Sequence, residues 1–185
     1  MTKKDGFIAY SKNAKKINYL NKSNFDPNQY ANGVDAFLIK IWTGEGLNGY
    51  ENGFFWLTDP SKILIYQSRL KPFLGENMVV GRTAFGDLFV VSKKNKISVF
   101  NVRINDIILY EEDLTFFFNV LLLNEDFLNK MLDKVLFDEG VAKLGEIDSD
   151  ECLGFFPPIL LGGDFISESL QKVKLLEHLK LLQQL

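Results

Sequence analysis

The stretch from Met78 to Tyr110, MVVGRTAFGDLFVVSKKNKISVFNVRINDIILY, constrains this chain more than any other. Its apolar runs are Met78 to Val80, Leu88 to Val91, Ile97 to Val102 and Ile107 to Tyr110. Gly86-Asp87 and Lys93-Lys94-Asn95-Lys96 separate them with residues suited to turns. Short strands joined in this way predict an antiparallel meander. Successive strand side chains point to opposite faces, and here both parities are apolar: Leu88 and Val90 on one, Phe89 and Val91 on the other. Such a sheet cannot leave a whole face in water, so something must cover it, and the amphipathic segments on either side are the candidates.

Those segments carry the required patterns. Phe25-Asp26-Pro27-Asn28-Gln29-Tyr30 predicts a helix start, with Asp26 as cap, Gln29 reaching back and Phe25 stapled against Tyr30. Gly33 interrupts it, and Val34, Phe37, Leu38, Ile41 and Trp42 then form one buried stripe. Gly44, Gly46, Gly49 and Gly53 predict a loop leading into an extended Phe54 to Leu57. Asp59-Pro60 opens a short helix with Ile63, Tyr66 and Leu70 on its apolar face.

Downstream of the meander, Asp113 caps a helix bearing Leu114, Phe117, Phe118, Leu121 and Leu122. Asn124 caps a second helix running from Phe127 to Leu136, and residues 137–144 continue it or form a short helix ending near Gly145. Residues 146–151 read as a polar loop. Residues 152–163 are apolar but broken by Gly and Pro, which predicts a buried, irregular crossing. A last helix carries Val173, Leu175, Leu176, Leu179 and Leu182.

The predicted fold class is α+β, a small, mostly antiparallel central sheet covered by flanking helices. It forms a single compact body over residues 25–185, behind a basic amino-terminal arm at 1–24 that is either irregular or a short edge strand. Seventeen Phe, six Tyr and two Trp among 185 residues exclude general disorder. One cysteine, Cys152, excludes an internal disulfide framework or a thiolate cluster. The opening MTKKDGFIAY lacks the apolar segment of a signal peptide, and no run approaches the roughly eighteen apolar residues of a membrane span. A soluble, cytoplasmic protein with no membrane partner is expected.

The net charge of −3 conceals an asymmetry. Lysines dominate the first twenty-four residues, and acidic side chains dominate from Asp106 to Glu168. That acidity either solubilises helix faces or complements a basic partner.

Catalytic chemistry lacks its usual ingredients. The single histidine, His178, lies in the last helix and reads as an exposed or helix-face residue near the helix dipole, without a second His for a zinc motif. Cys152 reads as a small buried hydrophobe rather than a nucleophile. Asp148, Asp150 and Glu151 fall short of a complete calcium loop, so no metal is assigned. Gly44-x-Gly46-x-x-Gly49 matches the bare dinucleotide expression, but it follows a predicted helix and precedes an extended segment. The cofactor fold needs the reverse order, and no cofactor is assigned. Phe7, Tyr10 and Tyr19 among lysines admit a single-strand nucleic-acid platform, against which the acidic second half argues.

Several blocks in order carry a family resemblance: Gly81-Arg82-Thr83-Ala84-Phe85-Gly86-Asp87-Leu88-Phe89-Val90, Phe100-Asn101-Val102-Arg103, Phe116 to Leu122, Glu151 to Pro157 before Leu160-Leu161-Gly162-Gly163, and Leu170 to Leu179. Together they resemble the two-part family with a GAD-like domain, here at about 25–105, and the carboxyl-terminal domain of bacterial type VI secretion immunity proteins, at about 106–185. The resemblance implies an intracellular bacterial protein without enzymatic activity, some of whose relatives bind and neutralise a cognate toxin, often a nuclease; the alternative is a non-catalytic structural or regulatory module that uses the same scaffold to bind another protein. The sheet with helices from both flanks makes these two parts one body that is not independently folded in halves, and a protein partner rather than nucleic acid is expected. Beside that implication, the acidic loop of Glu146, Asp148, Asp150 and Glu151 is the candidate partner-binding site, facing the basic cleft of a nuclease.

Overall fold

The computed structural model describes residues 6–14, 16–20, 25–66, 70–72 and 75–185. Much of the amino-terminal arm lies outside the described residues, as do the side chains of Tyr19 and Tyr66. The elements are α1 (Gly6–Asn13), β1 (Lys16–Leu20), α2 (Ala36–Glu45), β2 (Leu47–Tyr50), β3 (Phe55–Leu57), β4 (Asn77–Thr83), β5 (Leu88–Ser92), β6 (Lys96–Asn101), β7 (Asp106–Asp113), α3 (Leu114–Asn119), α4 (Glu125–Met131), α5 (Lys134–Leu144), β8 (Glu151–Phe155), β9 (Leu170–Lys174) and α6 (Leu175–Leu182). The fold is α+β, with two antiparallel sheets flanked by helices.

The meander is longer than its central stretch predicts. Seven strands lie in the order β1 to β7, each hydrogen-bonded to its chain neighbours. Two apolar parities then produce two cores. Phe89, Val91, Val80 and Val99 pack with Phe55, Leu57 and the helices α1 to α5. Val79, Leu88, Val90 and Phe100 pack on the other side with Cys152, Leu175, Leu179 and Leu182. At Gly81 a Cβ would lie 2.7 Å from the Trp56 carbonyl oxygen, so only glycine lets β3 and β4 approach as they do.

The described part of the basic arm belongs to this body. Phe7 on α1 is fully buried, with its ring 5.1 Å from that of Phe118 and 5.3 Å from that of Tyr50. Its amide donates to Asn119 Oδ1 at 2.9 Å. Tyr10 donates to Glu51, and Lys16 on β1 pairs with Glu45. Phe7 and Tyr10 are therefore spent on packing and are not presented as a stacking platform.

Several predicted helices are shorter than their stripes. The Asp26 cap accepts from the Asn28 amide at 3.0 Å, but it opens only a 3-10 turn, Pro27–Tyr30. Phe25 does stack on Tyr30, at 6.0 Å between ring centroids. The longer helix, α2, has its own cap, Asp35. Asp113 caps α3 and Asn124 caps α4 as expected, but α3 ends at Asn119 and a 3-10 turn carries Leu121 and Leu122. The helical run that begins at Asn124 breaks at Asp133, which takes a left-handed backbone with φ of 59°.

The largest difference falls in residues 152–163. The first part is regular: β8 pairs with β9 to form a two-stranded ribbon, from Glu151 opposite Lys174 to Phe155 opposite Leu170. The second part is not buried. Leu161 is 62% exposed, and Phe156 and Leu160 are exposed beside it. Pro and Gly stop the strand after Phe155, and the chain then turns outward before it can return along β9.

Candidate partner-binding site

Three of the four carboxylates read from sequence lie in one tight loop between α5 and β8, and the fourth, Glu151, is the first residue of β8. Gly145 ends α5 with φ of 82°, a conformation that favours glycine. Ile147 is buried and anchors the loop from inside. The Glu151 amide donates to the Asp148 carbonyl at 3.0 Å, and the Asp148 amide donates to Glu151 Oε2 at 3.1 Å. Arg82 Nη2 donates to the Ser149 carbonyl at 2.8 Å, and the Leu175 amide donates to the Asp150 carbonyl at the same distance. The loop is thus pinned to β4 on one side and to the start of α6 on the other.

Its charge is partly consumed within the chain. Lys174 Nζ lies 2.8 Å from Asp150 and 3.7 Å from Glu151, and Lys172 Nζ lies 4.0 Å from Glu151. Lys172 Nζ also donates to the Glu146 carbonyl at 2.6 Å. The two lysines are alternate residues of β9 and so share one face, which lets both reach Glu151 across the ribbon. The hydrogen bond from Lys174 holds the Asp150 carboxyl below its ordinary range, and the same bond raises the Lys174 ammonium. Asp148, which opens the turn, is exposed. Sequence reasoning misses the lysines because their effect requires the β8–β9 register; residues 170–174 carry no clean alternation of buried and exposed positions to announce a strand.

A cavity of about 110 Å³ adjoins the loop, lined mainly by Trp56, Thr58, Ile63, Arg82, Asp150 and Leu175. The Arg82 guanidinium is fully buried against the Trp56 ring, 5.0 Å from its centroid, and also donates to the Thr83 carbonyl. A larger groove of about 530 Å³ runs over Gly33, Lys71 and Met78; its Glu76 and Lys93 pair with each other.

The groups considered for catalysis sit elsewhere. His178 is buried, 5% exposed, rather than on an open helix face. It packs so closely on β8 that a Cβ at Gly154 would lie 2.7 Å from its ring. Burial pushes its imidazole down to about 4, so it is neutral near pH 7. Cys152 is fully buried, and burial pushes its thiol up to about 12. Among the described residues no group of three or more His, Cys, Asp or Glu side chains is placed to hold a metal ion. Gly46 closes α2 with φ of 76°, and Gly49 lies under the Trp56 ring, so one glycine serves a helix end and the other packing.

A densely bonded polar cluster is internal. Arg103, 2% exposed, donates through Nη2 and Nε to the fully buried Asp87 carboxylate at 2.6 and 3.2 Å, and through Nη1 to Asp133 at 2.9 Å. Burial opposes its charge, but Asp87 and then Asp133 outweigh burial and hold the guanidinium above its ordinary value. The helix break at Asp133 is what delivers that second carboxylate. Sequence periodicity reads the position as the middle of a helix and gives no hint of this role.

Comparison with known proteins follows this division. Residues 8–107 match the GAD-like domain, and residues 111–185 match the carboxyl-terminal domain of the T6SS immunity protein Tdi1. The first match begins earlier than the resemblance read from sequence, in keeping with α1 and β1 belonging to the body. The crystal structure of Atu4351 from Agrobacterium tumefaciens superposes with a TM-score of 0.71 at 17% sequence identity, covering 92% of this chain and 84% of that one. At that identity the likeness concerns the fold. A search of curated proteins returns no match. The chain belongs to the two-part family that joins a GAD-like domain to the carboxyl-terminal domain of the type VI secretion (T6SS) immunity protein Tdi1.

Proposed function

We propose that this protein neutralises a cognate secreted toxin in the cytoplasm by stoichiometric binding, without catalysis or cofactor. The observation that carries the reading is the ordered pair of family matches, which together span residues 8–107 and 111–185. A buried His178, a buried Cys152 and an arginine locked between two carboxylates are compatible with it, since each serves the interior.

The acidic loop is proposed as one contact, through Glu146, Asp148, Asp150 and Glu151. A nuclease whose cleft is basic is the partner chemistry it fits, because complementary charge speeds encounter and occludes nucleic acid. The four side chains are unequal in this role: Asp150 and Glu151 share Lys174, whereas Asp148 is an exposed residue at the start of the turn.

Co-expression with the candidate toxin encoded beside this protein tests the reading. Growth should be rescued and a complex recovered; neither rescue nor complex sinks it. Neutralising all four carboxylates as amides should raise the dissociation rate and flatten the salt dependence of association. Unchanged kinetics would move the contact elsewhere.

A further inference from the structure

We infer that the loop over residues 156–166, at the opposite end of the ribbon from the acidic loop, is an apolar anchor that seats in a pocket of the cognate toxin. This inference rests on the toxin-binding reading and places its main contact. Within eleven residues the loop exposes Phe156, Leu160, Leu161, Phe165 and Ile166, with Leu161 the most exposed. Large apolar side chains clustered on a surface mark an interaction site, whereas scattered ones do not.

The loop is held in place from below. The Phe165 ring stacks on Phe155 at 5.1 Å, and Phe155 stacks on Phe85 at 6.1 Å. Arg103 lies 4.7 Å from the Phe85 centroid and 5.4 Å from that of Phe165. The Phe156 amide donates to the Ser169 carbonyl at 2.9 Å, closing the loop at its base. The Leu161 and Gly163 amides both donate to the Pro158 carbonyl, at 2.9 and 3.1 Å. Side chains presented on such a base lose little further freedom when they bind, which is the property of an interface hot spot.

The occupant follows from the charge of the rim. The charged residues of the segment 156–169 are Asp164 and Glu168, both exposed and acidic. A second copy bound by two-fold symmetry through this loop would bring these acids and their symmetry mates into one interface without a cation from the segment to offset them. A toxin pocket with a basic rim pairs with them, in the same sense as the acidic loop. The two ends of the ribbon are about 13 Å apart along four strand steps, so one partner of ordinary interface size can cover both.

The experiment compares the full-length protein with a Leu161→Asp/Ile166→Asp variant, both changes being at exposed positions. Each is titrated against the purified, catalytically inactivated toxin encoded beside it. The variant should bind about tenfold or more weakly than wild type while keeping its urea midpoint. Weakening of less than about fivefold overturns the placement. A wild-type protein that fails to bind at all sinks the toxin-binding reading itself, and this inference with it. Sedimentation of the wild type alone should give a monomer; a dimer abolished by the double substitution would assign the patch to a second copy instead. Asp164→Asn/Glu168→Gln should lower the association rate at low salt, and no change there removes the basic rim from the proposal.

Discussion

Two loops leave opposite ends of the β8–β9 ribbon, and each rests on a buried arginine from the first matched segment. Loop 146–151 gives its Ser149 carbonyl to Arg82; loop 156–166 lays Phe165 over Arg103. The supports differ in kind. Arg82 meets carbonyls and an indole ring, while Arg103 meets two carboxylates and two phenyl rings. The surfaces differ as well. The acidic loop shares its charge with Lys172 and Lys174, and the apolar loop keeps five large side chains in water. Charge that the chain can satisfy internally makes a weaker case for a contact than apolar surface fixed rigidly from beneath.

The largest effect expected is at the Arg103 end. Arg103→Met removes the guanidinium and leaves the fully buried Asp87 carboxylate without its cation. Breaking a buried pair from one side costs about 3 to 5 kcal/mol, because the remaining charge stays desolvated. Equilibrium urea denaturation measures it. Because the same guanidinium underlies Phe165, proteolysis within residues 156–166 should accelerate more than at 146–151. Equal acceleration at both loops would erase the distinction between them.

Acid should act next, on the middle of the ribbon that joins the two ends. His178 packs on Gly154 in mid-ribbon, with its ring 6.2 Å from that of Phe156. Its folded value of about 4 lies below the ordinary 6.5. Between those limits the unfolded chain binds the extra proton, so stability is fully present above about pH 6.5 and falls as pH drops toward 4. The loss is up to about 3 kcal/mol. Carboxylates titrate in the lower part of this window too, so the measurement is the difference in unfolding free energy between wild type and His178→Gln from pH 7.5 to 4. The wild type should lose more on acidification; parallel curves would remove His178 from the account.

How much of this was legible in sequence depends on the range of the interaction. The meander is readable in residues 78–110 because turns and alternation are local, and the two apolar parities of β5 show that the sheet needs covering, although the division into two cores is a finding of the structure. The caps Asp113 and Asn124 were readable for the same reason. The ribbon was not, since Gly154 and the lysines of β9 carry no alternation and their pairing spans some twenty residues. Periodicity counts Asp133 as one more helical position, although its left-handed backbone and its bond to Arg103 are tertiary facts. For the site, the acidic loop was visible as composition, while its neutralising lysines required the register. The apolar loop was visible too but reads as core, because sequence hydrophobicity alone does not say which apolar run the fold leaves uncovered.

The Arg82 end should respond more gently. Arg82→Met deprives the Ser149 carbonyl of its donor and removes the charge from the Trp56 ring, for about 1 to 3 kcal/mol. If it costs as much as Arg103→Met, the two supports are equivalent and the comparison fails.

The smallest effect is expected from Asp150→Asn. Asp150 and Lys174 make the shortest ion pair of this loop, but both are exposed, and an exposed pair gives back to water most of what it gains. The backbone restraints remain, because the substitution keeps the carbonyl at position 150 that accepts from the Leu175 amide, and Ser149 still accepts from Arg82. The urea midpoint should be unchanged at low and at high salt. A drop at low salt that disappears at high salt would mean that the loop is held by its ion pairs and not by Arg82, and the contrast between a pinned acidic end and a stacked apolar end would then have to be drawn the other way.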